Sequence, residues 1–163
     1  PGYYGVNNVK YLKRLALTED ESPNKIQQTS YRVRPVGVSG DPSQPSMYEM
    51  NVKSWITGPL MDAETGKVQV HGVAMGGVSA LEKVEVSIDG GQTWAAAQFL
   101  DPDLGPYAWR PFVLITELAE GTHVLASRAT NVVGDTQPEQ FPPNERGYGN
   151  NGWGVHAVDV TVS

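Results

Sequence analysis

The residues best able to do chemistry in this chain are one loop arginine, three histidines and a set of turn carboxylates. Arg146 lies in Asn144-Glu145-Arg146-Gly147-Tyr148-Gly149-Asn150-Asn151-Gly152-Trp153, between Pro142-Pro143 and the last expected strand. A planar guanidinium on such a loop suits a tetrahedral oxyanion, whose oxygens accept its forked N–H groups. An ordinary surface or turn-bracing arginine looks the same in sequence, and spacing does not choose between them. His71, His123 and His156 each fall alone on a different expected strand, with no i, i+2 or i, i+4 partner, so no metal site is expected from them. With no cysteine, the chain has no disulfide, thiolate ligand or cysteine nucleophile of its own. It also contains no nucleophile elbow, phosphate loop or dinucleotide fingerprint. The carboxylates are scattered over turns, and no catalytic pair stands out.

Ser87-Ile88-Asp89-Gly90-Gly91-Gln92-Thr93-Trp94 fits the Asp-box pattern S-x-D-x-G-x-T-W. Asp89 can accept from backbone N–H groups of the turn, the glycines supply positive φ, and Trp94 packs beneath. A propeller would repeat the motif, and nothing else here does. A self-bonding hairpin is the expected outcome.

Composition narrows the function classes. At 163 residues with 39% hydrophobics, the chain can bury one ordinary core, and 18 Gly with 12 Pro suit many turns. No apolar run approaches the roughly 20 residues that span a bilayer. The net charge of −6 is uneven. Residues 1–34 carry Lys10, Lys13, Arg14, Lys25, Arg32 and Arg34 against only Glu19, Asp20 and Glu21, while the remaining residues carry 15 of the 18 acidic groups. A basic head on an acidic body is either a solvated surface or the lining of an anion site. It is too sparse in cations for a nucleic-acid stripe.

The elements that must position these residues read as strands. Asn51–Ile56, Lys67–Met75, Leu81–Ile88, Thr93–Phe99, Trp109–Leu118, His123–Thr130 and Gly154–Ser163 are short, turn-bounded and often alternating, and Val9–Leu17 is a further short candidate in the head. The pattern predicts an all-β fold: an immunoglobulin-like antiparallel β-sandwich with an irregular N-terminal extension. Val84, Val86, Ile88, Trp94, Trp109, Leu114, Val124 and Val158 are the expected core. The Pro/Gly/Ser-rich stretch within 35–50 reads as a linker or loop. The Pro1-Gly2 opening is a turn dipeptide without a starting Met, and the basic head is expected to continue a folded part lying upstream.

Several separate motifs, in order, resemble the sulfite oxidase family of molybdenum enzymes. The head PGYYGVNNVKYLKRL is similar to the end of that family's molybdenum-binding domain, with Tyr11 where a Trp is usual and Asn7-Asn8 in place of an Arg-Ser type of pair. Asp20-Glu21-Ser22-Pro23, Gln27-Gln28 and Tyr31-Arg32 resemble the family's DESP…QQ…Y(K/R) segment. The SIDGGQTW hairpin, Tyr107-Ala108-Trp109-Arg110, Gln137-Pro138-Glu139 and NERG…GW resemble its dimerisation domain. The resemblance thus implies a tail of the molybdenum-binding domain over 1–34, a linker or loop over 35–50 and an Ig-like dimerisation domain over 51–163.

The same resemblance implies roles. Lys10 matches a lysine that contacts the pyranopterin of the molybdenum cofactor (molybdopterin). Tyr31 matches an active-site tyrosine, and Arg146 an arginine that reaches the substrate anion. The implied activity is sulfite oxidation to sulfate by oxygen-atom transfer at molybdenum, with electrons passed to an external acceptor such as cytochrome c. The implied partners are an upstream molybdenum-binding domain, a second copy in a homodimer and, in some members, a haem on a partner. The implied compartment is periplasmic, by likeness to bacterial members. The family's metal ligand is a cysteine, which this chain lacks, so the chain alone is expected to be inactive. A sulfane dehydrogenase-type member with another substrate, and a non-enzymatic Ig-like interaction module, are the alternatives.

Overall fold

The computed structural model describes residues 2–163; Pro1, counted in the head, lies outside the described residues. The chain folds as two compact units, one of residues 51–141 and 151–163 with Gly2, the other of residues 3–50 and 142–150.

The larger unit is a two-sheet β structure. Its strands are β1 (Lys53–Gly58), β2 (Asp62–Ala63), β3 (Gly66–Met75), β4 (Leu81–Ser87), β5 (Ala95–Ala96), β6 (Gln98–Phe99), β7 (Arg110–Leu118), β8 (Gly121–Asn131) and β9 (Val158–Val162). One sheet has the order β1-β3-β7-β6 and the other β2-β9-β8-β4-β5. All pairings are antiparallel except the short β2–β9 pair, which is parallel. The all-β sandwich read from the alternating pattern is the fold observed.

Period-two patterning builds the core. Val68 and Val70 of β3, Val84 and Val86 of β4, Phe112 and Leu118 of β7, Leu125 and Ala129 of β8, and Val160 and Val162 of β9 are all buried together. Burying side chains of this size contributes roughly 1.5–3 kcal/mol each. Gly72 pairs with Phe112 across β3 and β7. A Cβ at Gly72 would overlap the Phe112 ring and the Trp55 carbonyl oxygen, so the ring's close approach requires glycine here.

A buried polar knot joins the return of the chain to both sheets. Gln137 Oε1 accepts from Ser54 N and Ser54 Oγ, each at 2.8 Å, and from Ala129 N at 3.3 Å. Gln137 Nε2 donates to Ser54 O at 3.1 Å, and Ser127 Oγ donates to Ser54 Oγ at 3.0 Å. Every polar atom of the Gln137 side chain is thereby used, as burial demands.

Four expectations are corrected. Thr93–Phe99 is not one strand: Ala95–Ala96 pairs with β4 and Gln98–Phe99 with β7, so the chain changes sheets at Ala97. The small side chains of Ala95, Ala96 and Ala97 offer no bulk against that crossing. Val9–Leu17 forms no ladder; Tyr11, Leu15 and Leu17 stand exposed, because no partner strand lies beside them among the described residues. Trp109 is 38% exposed rather than core; it precedes the first paired residue of β7 and packs on Trp55, ring centroids 4.7 Å apart. The final strand is shorter than expected, since Gly154–His156 forms a 3₁₀ turn before β9 begins at Val158. Val84 and Val86 are fully buried, Ile88, Leu114 and Val158 pack at the core's margin, and Trp94 and Val124 are half-buried.

Candidate functional site

The smaller unit carries little regular structure. Its one α-helix among the described residues, α1 (Lys25–Gln28), begins where the Asn24 side chain accepts from Ile26 N at 2.9 Å, and 3₁₀ turns occupy Gly5–Asn7 and Glu145–Gly147. Side-chain hydrogen bonds and isolated bridges hold the rest, pairing Tyr3 with Glu49, Arg32 with Ser46 and Pro35 with Asn144. The stretch 35–50 is part of this weave: Val33 N donates to Pro45 O at 2.8 Å and Met47 N to Tyr31 O at 2.9 Å.

Within this unit lies a cleft of about 460 Å³ whose walls include Lys25, Tyr31, Arg34, Glu145, Arg146 and Tyr148. Two of the three site residues expected from the sequence, Tyr31 and Arg146, are therefore brought together. The third, Lys10, is exposed on the irregular stretch after Gly5–Asn7 and does not line the cleft. Three cations, Lys25, Arg34 and Arg146, face one carboxylate, Glu145, which already accepts from Gly37 N at 2.9 Å. A cleft so lined is suited to an anion.

Arg146 is delivered to the cleft by its two preceding residues. Asn144 is buried, and its Oδ1 accepts from Arg34 N at 2.7 Å while its Nδ2 donates to Tyr148 O at 3.2 Å. Glu145 N donates to Arg34 O at 3.0 Å. These bonds stitch the 142–150 loop to the backbone beside Tyr31. Arg146 then takes left-handed backbone, φ 62°, and Tyr31 does the same at φ 50°. Non-glycine residues rarely adopt this region. The Tyr31 ring also packs on the Tyr148 ring, centroids 5.2 Å apart.

Asn144 and Arg32, the residues that set this geometry, were not singled out from the sequence. Asn144 meets Arg34, 110 residues away, and Arg32 meets backbone and hydroxyl acceptors 4 to 14 residues away; an Asn two places before a loop arginine was the only local sign.

Asp89, His123 and His156 are engaged in structural contacts outside the cleft. Asp89 Oδ1 accepts from Gln92 N at 3.0 Å, Thr93 N at 2.9 Å and Ser87 Oγ at 2.7 Å, and its Oδ2 accepts from Thr93 Oγ1. The Thr93 hydroxyl foremost, then the Thr93 N–H and the Ser87 hydroxyl, hold the Asp89 carboxyl down at about 2. Trp94 donates to Gly91 O at 3.0 Å, meets Trp153 edge-on at 5.1 Å, and lies under the Arg128 guanidinium at 4.2 Å. The Asp-box is thus a braced hairpin. His123 Nε2 lies 2.8 Å from Ala119 O, and His156 sits beside Trp55, with ring centroids 6.3 Å apart. Burial first, and Lys53 second, push the His156 imidazole below its usual range.

Among the described residues no group of three or more His, Asp or Glu could hold a metal ion, and the chain has no cysteine. The donor set therefore does not fit a molybdenum centre held by this chain's own side chains. The excess of cations in the cleft suits an anionic group.

Residues 44–163 match the family model for the Mo-co oxidoreductase dimerisation domain. Sulfite oxidase of Gallus gallus is 32% identical over 94% of the chain and 36% of its own length. Inducible nitrate reductase [NADH] 2 of Glycine max is 30% identical over 94% of the chain and 20% of its own length. Among solved structures, the sulfane dehydrogenase SoxCD from Paracoccus pantotrophus superposes with a TM-score of 0.77 at 26% identity, over 93% of the chain and 40% of the matched chain. The chain spans about a third of the length of the curated sulfite oxidases of animals that it matches. The sandwich, the order of its motifs and the family match agree: the chain belongs to the Mo-co oxidoreductase dimerisation domain family.

Proposed function

We propose that the chain is the substrate-anion-binding and dimer-forming portion of a sulfur-oxidising molybdenum-cofactor oxidoreductase. The observation that carries this reading is the cationic cleft lined by both Tyr31 and Arg146. Arg146 holds the oxyanion by charge-assisted hydrogen bonds, with Lys25 and Arg34 adding positive potential. The Tyr31 hydroxyl supplies a neutral donor to the same group. The preferred substrate is sulfite. Its conversion to sulfate takes one oxygen atom from water and releases two protons and two electrons.

The oxygen-atom transfer is the chemistry that the molybdenum cofactor supplies when bound. Its thiolate ligand must come from outside these 163 residues, since none of them is cysteine. Lys10, exposed on irregular chain, is the residue of this segment assigned to the cofactor. In this reading electrons leave to an external acceptor such as cytochrome c, with a haem on a partner, and the enzyme works in the periplasm as a homodimer.

A sulfane dehydrogenase-type substrate is the second reading, favoured by the superposition on SoxCD. Steady-state kinetics of the enzyme containing this chain separates the two. Sulfite turnover in which Arg146→Ala raises KM more than it lowers kcat supports the sulfite site, because an arginine–oxyanion contact binds the ground state as well. Unchanged KM and kcat would contradict it.

A further inference from the structure

Arg32 is buried, 5% exposed, yet no carboxylate forms a salt bridge with it among the described residues; its charge helps to lower the exposed Asp41 carboxyl only after the Ser43 hydrogen bonds. Its guanidinium instead spans two segments. On one side Nε donates to Gln28 O at 3.2 Å and Nη2 to Gln27 O, at the end of α1. On the other, Nη1 donates to Gln44 O at 2.9 Å and Ser46 Oγ at 2.7 Å. Tyr31 lies next in the chain, its own carbonyl accepting from Met47 N at 2.9 Å. A left-handed tyrosine persists only where its surroundings over-determine it. Burying a charge to meet four neutral acceptors is costly, and a planar fork is the side chain that can reach both sides together.

We propose that Arg32 is a positioning residue, which clamps the end of α1 to the 44–46 stretch and so fixes the Tyr31 side chain in the anion cleft. Its charge does not meet the ligand; it acts through Tyr31. This rests on the reading of the cleft as an oxyanion site, and the test separates the two claims.

Sulfate binding is measured by calorimetry on the 163-residue chain, its Tyr31→Phe, Arg32→Lys and Arg32→Met variants, and the Tyr31→Phe/Arg32→Lys pair. Alongside, cross-peaks between the Tyr31 and Tyr148 rings are followed by NMR without sulfate. Arg32→Lys keeps the charge but loses the fork, so it weakens sulfate binding by roughly tenfold, about one lost hydrogen bond. In the Tyr31→Phe background the same change adds little, as coupled residues require. The ring cross-peaks fade in Arg32→Lys while melting still shows one folded transition. Equal losses with and without the Tyr31 hydroxyl would overturn the proposal. So would intact ring cross-peaks in Arg32→Lys, even if sulfate binds to no variant and the oxyanion reading itself fails. Should Arg32→Met not fold, the lysine variant carries the test.

Discussion

Tyr31 and Arg146, near opposite ends of the chain, both hold left-handed backbone, at φ 50° and 62°, and both line one cleft. A non-glycine residue in this region costs of order 1–3 kcal/mol, which the fold must offset elsewhere. At Arg146 the offset is visible: Asn144 and Glu145 lock the loop to the Arg34 backbone.

This strain can be measured. Arg146→Gly should be about 1 kcal/mol more stable than Arg146→Ala, since glycine alone relaxes at this φ. Chemical denaturation of the two variants checks it. Equal stability would mean that the backbone here is not strained.

The Gly72–Phe112 contact fixes how closely β3 and β7 can carry the core. Gly72→Ala should destabilise the chain by roughly 1–3 kcal/mol through overpacking, seen as a lower urea midpoint with unchanged slope. A neutral substitution would show that the ring has room to shift.

Gln137 is the other internal staple. Replacing it with Leu leaves Ser54 N, the Ser54 hydroxyl and Ser54 O without their Gln137 partners in the core. Each buried polar group left unpaired costs about 1–3 kcal/mol. Gln137→Leu should therefore lose at least about 2 kcal/mol, measured by the same unfolding experiment, whereas the exposed Gln92 should tolerate Ala with little change.

The Asp-box hairpin gives a pH dependence. Asp89 titrates near 2 in the folded state, below its ordinary 3.8. A depressed carboxyl contributes stability that is present above the unfolded value and is lost as pH falls from about 3.8 through about 2. Thr93→Ala removes the leading hydroxyl donor, so the Asp89 carboxyl should titrate at higher pH in an NMR titration. No upward movement would remove the hydroxyl from the account.

Much of the sandwich was legible because its code is local. Alternation in Leu81–Ser87 and Val158–Val162 places valines inward whatever the rest of the chain does. The failures are those where partners decide. Val9–Leu17 alternates plausibly but has no strand to pair with, and Trp109 looks like core yet lies before its strand begins. The Thr93–Phe99 run could not reveal that its halves serve different sheets. Of the cleft, Arg146 is legible in its Gly/Asn-rich loop as well as in the motif resemblance and Tyr31 in the resemblance alone, while Arg32 enters as one positive charge and as the neighbour of Tyr31 in that motif. Its four acceptors come from two stretches, 27–28 and 44–46, and only folding brings them together.

Association is a separate expectation. The chain should form a symmetric homodimer, the commonest closed assembly, and should carry no molybdenum, because it offers no thiolate. Sedimentation showing only monomer at micromolar concentration would contradict the first statement, and stoichiometric molybdenum by elemental analysis the second.

The most direct test of the cleft is titration of sulfate, then sulfite, into the 163-residue chain and its Arg146→Ala variant by calorimetry at low salt. The account predicts one site per chain, weakened by added salt, with affinity lowered roughly tenfold to a hundredfold when the Arg146 charge-assisted contacts are removed. Identical isotherms for the two proteins would contradict it.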